Sequence, residues 1–164
     1  MTARQRFVAL LSQHEGLRAH VYDDATGKPI KPGSVVKGHP TVGYGLALDV
    51  NGLTERQAEW LRDDILDDRE HALSIRIANW SRLEPVRRMA LLGLAYQTGV
   101  GGLMGFVKML AALQRQDYVG VARELLNSKW AKQTQAKRVE DTVRMLADRQ
   151  WPAASKARKV AKRR

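Results

Sequence analysis

Three observations predict an α+β fold that is mainly α. Apolar residues recur at helical spacing over most of the chain, a stretch near residues 20–50 mixes strand-type residues with Gly and Pro, and capping signals precede several periodic runs. A length of 164 residues suits one domain with its own core, and 44% hydrophobic content with five prolines excludes a disordered or collagen-like chain. With no Cys, a disulfide framework, a thiolate nucleophile and Cys-ligated metal sites are also excluded.

The first element is a helix from Thr2 to Gln13, with Phe7, Leu10 and Leu11 on one side and Gly16 as the stop signal. Val21-Tyr22 and Thr41-Val-Gly-Tyr-Gly45 have strand composition, and Gly27, Pro29, Pro32, Gly33, Gly38 and Pro40 lie between them. This predicts a small irregular β region with a long loop. A capping box at Thr54-Glu-Arg-Gln57 then opens a long helix to about residue 78, striped by Trp60, Leu61, Ile65, Leu66 and Leu73. Pro85 fits the first position of a helix over 86–96. Further helices are expected over 103–115, 118–127 and 136–149, with Asp117 capping the second of these. Met89, Leu91, Leu92 and Leu94 read as core, and Trp60, Trp80 and Trp151 as packed residues.

The uncharged run from Met89 to Val107 nears membrane-spanning length, but its five glycines predict a buried helix that ends at the Gly cluster. The apolar run before Ser12 is too short for an export signal, so neither a signal peptide nor a membrane span is expected. A net charge of +11 directs the chain toward a polyanion, and six basic residues in 156–164 leave +5 for the remainder. The expected organisation is a single domain over 1–152 followed by a basic tail over 153–164. No helix-turn-helix, RRM or zinc-finger pattern accompanies the charge, so nucleic acid is not the expected partner. Four scattered His form no metal-ligand spacing, and no metal or cofactor is expected.

Glu15 follows the last apolar turn of the first helix and precedes its Gly stop. At that end the helix dipole disfavours a negative charge, which suits a general acid. Asp24 stands beyond the first strand in a turn-like Asp23-Asp24-Ala-Thr-Gly27, and Thr41 opens the second strand segment. An acid, a second carboxylate and a hydroxyl are the parts needed to protonate a glycosidic oxygen and hold a water opposite it.

Glu15-Gly-Leu-Arg18, Val21-Tyr-Asp-Asp24 and Thr41-Val-Gly-Tyr-Gly45 resemble the catalytic signature of phage lysozymes of the T4 type. The resemblance extends through Val86-Arg-Arg-Met-Ala-Leu-Leu92, Tyr96-Gln-Thr-Gly99 and Ser128-Lys-Trp130, and covers roughly residues 7–151. It implies a two-lobed lysozyme-like fold. A small β-containing lobe would span about 14–52, and a helical lobe about 54–151 would take in the first helix. It further implies a muramidase, used as an endolysin, that hydrolyses the β-1,4 bond between N-acetylmuramic acid and N-acetylglucosamine in peptidoglycan. Glu15 would be the general acid, with Asp24 and Thr41 holding the attacking water. Inversion would require carboxyl groups about 6.5–9.5 Å apart. Tyr96, Gln97, Trp130 and Gln133 match positions along or beneath the sugar cleft.

Two departures from the pattern stand out. Leu46 occupies the position after the T-x-G-x-G segment where phage members commonly have His. The loop from Asp24 to Thr41, with Lys28, Lys31, Lys37 and His39, exceeds the short family turn.

Among competing functions, a lytic transglycosylase would cleave the same bond with one acid and no positioned water. Asp24 and Thr41 favour hydrolysis. A monomer is expected that stays in the host cytoplasm before lysis and acts on the cell wall in the periplasm, with the tail available for anionic lipid or lipopolysaccharide.

Overall fold

The computed structural model describes residues 1–153, so all of the basic tail except Ala153 lies outside the described residues. The chain divides into two compact units, Met1–Leu61 and Arg62 onward.

In the first unit, α1 (Ala3–Glu15) begins at a capping box that composition alone did not flag. The Gln5 amide donates to Thr2 Oγ1 at 3.2 Å, and the Thr2 amide donates to Gln5 Oε1 at 2.7 Å. The helix stops where expected in kind, two residues later than predicted. Gly16 takes φ 65°, and its amide donates to the Ser12 carbonyl at 3.0 Å. The apolar side of α1 is exposed, at 62% for Phe7, 47% for Leu10 and 41% for Leu11.

Strands β1 (Arg18–Asp23), β2 (Pro40–Gly43) and β3 (Leu46–Ala47) form one antiparallel sheet in the order β1-β2-β3. Thr41 sits on the middle strand, paired with Tyr22 on one side and Ala47 on the other. A short helix, α2 (Leu48–Asn51), follows β3 directly and has no sequence signature of its own. The predicted capping box opens α3 (Glu55–Arg76), with the Gln57 amide on Thr54 Oγ1 at 3.2 Å and the Thr54 amide on Gln57 Oε1 at 2.8 Å.

The second unit contains every buried hydrophobic residue among those described, from Leu73 to Leu146. A 3-10 turn (Trp80–Arg82) leads to α4 (Pro85–Met104), followed by α5 (Val107–Gln114), α6 (Tyr118–Leu126), α7 (Lys129–Gln133) and α8 (Ala136–Asp148). Pro85 occupies the start of α4, and Asp117 caps α6 by accepting from the Gly120 amide at 2.8 Å. Leu91, Leu92 and Leu94 are core, as their spacing predicts, and Met89 packs against that core half-buried. The Arg87 guanidinium is buried and ties α4 to the end of α8. It donates to the Leu146 and Ala147 carbonyls at 2.7 and 3.1 Å and lies 3.4 Å over the Tyr118 ring.

Two expectations are corrected. The first helical stretch of α4 does end at the Gly cluster, where Gly99 takes non-helical φ 74° and ψ 162°, but a second stretch runs on from there to Met104. The chain turns later, at Gly105-Phe106, so the next helix begins at 107 instead of 103. Trp60 and Trp151 are exposed, at 68% and 59%. Trp60 precedes the part of α3 that packs, and Trp151 lies past the left-handed Arg149 that closes α8.

No single helix among the described residues is long and apolar enough to cross a membrane. Only α4 and α5 together meet that test, as a pair bent by 94°.

Truncating Leu91, which is fully buried, should lower the unfolding free energy by about 2–5 kcal/mol. Asp117→Ala should cost only about 1 kcal/mol, the worth of one N-cap. Urea denaturation of both variants checks the ranking.

Candidate functional site

Glu15 is the last residue of α1 and is exposed. Its surroundings include the β2–β3 turn. A Cβ built on Gly45 would lie 3.0 Å from Glu15 Oε2, and Gly45 itself holds φ 80°. Glycine at 45 therefore meets two demands, a left-handed turn and close approach of the carboxyl.

Asp24 follows β1. Its carboxylate Oδ1 accepts from the His39 amide at 2.6 Å, and its own amide donates to the His39 carbonyl at 3.1 Å. Thr41 is buried, with its hydroxyl donating to that same carbonyl at 3.1 Å. The structure thus brings Asp24 and Thr41 together on the backbone of one residue, His39.

Sequence reasoning missed how this is held. Asp23, adjacent to Asp24, is 4% exposed. Its Oδ2 accepts from the Lys37 amide at 2.9 Å, and its Oδ1 from the Gly38 amide at 2.9 Å and the Ala25 amide at 3.1 Å. Three consecutive amides, 37 to 39, are therefore taken up by two consecutive carboxylates. The Lys37 amide is the main influence holding the Asp23 carboxyl below its ordinary 3.8. Burial opposes it, and the Gly38 amide, Thr26 hydroxyl and Ala25 amide add to it. Gly38 is required sterically, since a Cβ there would fall 2.1 Å from Asp24 Oδ1 and 2.8 Å from the Ala25 nitrogen. The long loop is tied at its base too, where the Ile30 amide donates to the Val21 carbonyl at 2.9 Å and Tyr22 bridges Pro29.

His39 and Asp49 were also missed. The His39 ring sits 2.9 Å from an Asp49 carboxylate oxygen on α2. Asp49 comes ten residues later, and only the turn back from β3 brings it near. Leu46, at the position where the family pattern has His, is half-buried in β3 opposite Val42.

In the second unit, the Trp130 indole donates to Gln97 Oε1 at 3.0 Å, joining two of the predicted residues. Trp130 is buried while Gln97 is exposed. Tyr96 is 41% exposed. Arg69 lies 5.0 Å over its ring and donates to its carbonyl at 2.9 Å. Gln133 ends α7 and is exposed. Among the described residues, no group of three or more His, Asp or Glu is placed to hold a metal ion.

The sequence matches the Phage lysozyme family over residues 12–150. The chain belongs to that family. It is also 28% identical, over 145 residues, to the pre-baseplate central spike protein Gp5 of Enterobacteria phage T4. That match covers 78% of this chain and 25% of the spike protein, so the chain spans about a quarter of that relative's length. The match to the phage lysozyme family takes in Glu15, Asp24 and Thr41, as well as the strapped loop between the last two.

A carboxyl held below its ordinary value stabilises the fold above that value and loses the contribution as pH falls through the lowered one. Acid should therefore loosen the loop below about pH 3.8, through Asp23. Asp23→Asn should remove this dependence and destabilise the protein at neutral pH, because either amide orientation sets an NH2 group against a backbone donor. Thermal melts of both proteins from pH 2 to 7 check it.

Proposed function

We propose that this family member is a muramidase that hydrolyses the β-1,4 bond between N-acetylmuramic acid and N-acetylglucosamine in bacterial peptidoglycan, in the service of phage-driven host lysis. The observation that carries the reading is the convergence of Asp24 and Thr41 on the His39 backbone.

The hydrogen-bond directions there have a chemical consequence. Asp24 Oδ1 is occupied by the His39 amide, so Oδ2 is the oxygen left to accept from a water. The Thr41 hydroxyl spends its proton on the His39 carbonyl and keeps its lone pairs for the same water. A water that donates to both turns its own lone pair outward, toward the anomeric carbon. Glu15 protonates the departing glycosidic oxygen, and Asp24 takes the proton released by the attacking water. Attack opposite the leaving group inverts the β linkage, so the new reducing end is first formed as the α-anomer.

Tyr96, Gln97, Trp130 and Gln133 serve the sugar chain. Trp130 fixes the Gln97 amide by occupying its oxygen, which leaves the NH2 group to recognise an acetamido or hydroxyl oxygen. The enzyme acts as a monomer, and its net charge of +11 draws it to an anionic envelope.

Glu15→Gln should lower the hydrolysis rate by about 10²–10⁴-fold while the protein stays folded. Digestion of purified peptidoglycan should yield reducing ends. Anhydro-muramic ends would instead mark a lytic transglycosylase. Raising salt should weaken lysis of intact envelopes more than cleavage of short soluble fragments, because screening removes long-range attraction. Equal salt sensitivity of the two would count against the charge having this role.

A further inference from the structure

His39 links the two residues proposed to hold the water. Its amide holds Asp24 at 2.6 Å, and its carbonyl receives both the Thr41 hydroxyl and the Asp24 amide at 3.1 Å. Its side chain points to a different partner, Asp49 on α2, at 2.9 Å. A carboxylate can only accept, so His39 Nδ1 carries the proton of that bond. The backbone of residue 39 is thus anchored through its ring to an element beyond β3, while its peptide groups set the two residues proposed to hold water.

We propose that the His39–Asp49 pair is a positioning device for the hydrolytic water: by clamping residue 39 against α2, it fixes the orientation of Asp24 and Thr41. This rests on the muramidase reading above. Asp23 already secures residues 37 and 38, but the tether it provides ends one residue short of the amide that binds Asp24. The His39 ring secures that last residue. The charged groups acting on the ring are Asp49 and Asp24, and the Asp49 hydrogen bond leads in raising the His39 pKa above its ordinary 6.5. The bond is strongest with imidazolium present and weakens as pH rises through that raised value. Both side chains are about half exposed, so the pair contributes direction more than stability.

The test uses His39→Ala, Asp49→Ala and the double variant on soluble peptidoglycan fragments, with Glu15→Gln alongside. Each single change is expected to lower kcat by about tenfold with KM within twofold and the melting temperature nearly unchanged. The double variant should fall no further than either single. Without substrate, exchange of the residue 39 amide should speed up severalfold in Asp49→Ala, and the His39 titration should move toward lower pH in Asp49→Asn.

If the losses multiply in the double variant, or kcat is unchanged while Glu15→Gln is inactive, the pair does not position the water. An unaltered exchange rate at residue 39 overturns the clamp whatever the activity shows. Hydrolysis by Glu15→Gln at the wild-type rate would instead remove Glu15 as the general acid and with it the muramidase reading, with the exchange measurement still deciding the clamp.

Discussion

Two adjacent carboxylates, Asp23 and Asp24, bind three adjacent backbone amides at residues 37 to 39, and the geometry of the first unit depends on that strap. An aspartate as buried as Asp23 would be costly if unpaired, but both of its oxygens are satisfied by amides. The amides benefit equally, since loop N–H groups folded against a sheet have no ladder to join. A long insertion between Asp24 and Thr41 is tolerable on these terms. Loop-closure entropy rises only slowly with length, and the strap returns the chain to β2 in one register.

The strap divides labour between neighbours of identical chemistry. Asp23 spends both oxygens on the fold, whereas Asp24 spends only Oδ1 and remains exposed. On the next strand, Thr41 is held on both sides by the sheet, and its hydroxyl is directed by the same carbonyl that receives the Asp24 amide. Glu15 comes from another element, yet meets the sheet at Gly45, where the missing side chain lets its carboxyl approach. Asp24 and Thr41 are therefore set by backbone atoms, which move less than side chains would.

Much of the helical part was legible because its signals are local. The capping box at Thr54, Pro85 at the start of α4 and Asp117 before α6 each act within one turn and read directly from residue order. Burial was less legible, as Trp60 shows. An apolar stripe states which side of a helix is apolar, not how much of its length meets a partner. The Gly cluster was legible as a stop, and Gly99 does leave helical geometry, but the second helical stretch that follows it to Met104 was not. In the candidate site, Glu15 stood out from its place at a helix end, while Asp24 and Thr41 gained meaning mainly from the family signature. His39 stood out only as one of several basic or titratable residues in the long loop, and Asp49 carried no signal at all. Their pairing depends on β3 turning the chain back, a tertiary fact that neither spacing nor composition encodes.

The two units are held by different physics. Every buried hydrophobic residue described lies at or beyond Leu73, whereas the buried residues within Met1–Leu61 are Asp23 and Thr41, both polar. Hydrophobic burial is strong but without direction, and it suits a helical unit whose task is to persist. Hydrogen bonds contribute less net stability apiece but fix angles, and a water must be aimed as well as held. A unit whose interior is polar gains orientation at the expense of robustness. It also becomes sensitive to protonation in a way the helical core is not, since removing one carboxylate charge weakens several aligned amides together. Asp24 and Thr41, the residues proposed to aim the water, accordingly sit in the unit whose buried residues are polar.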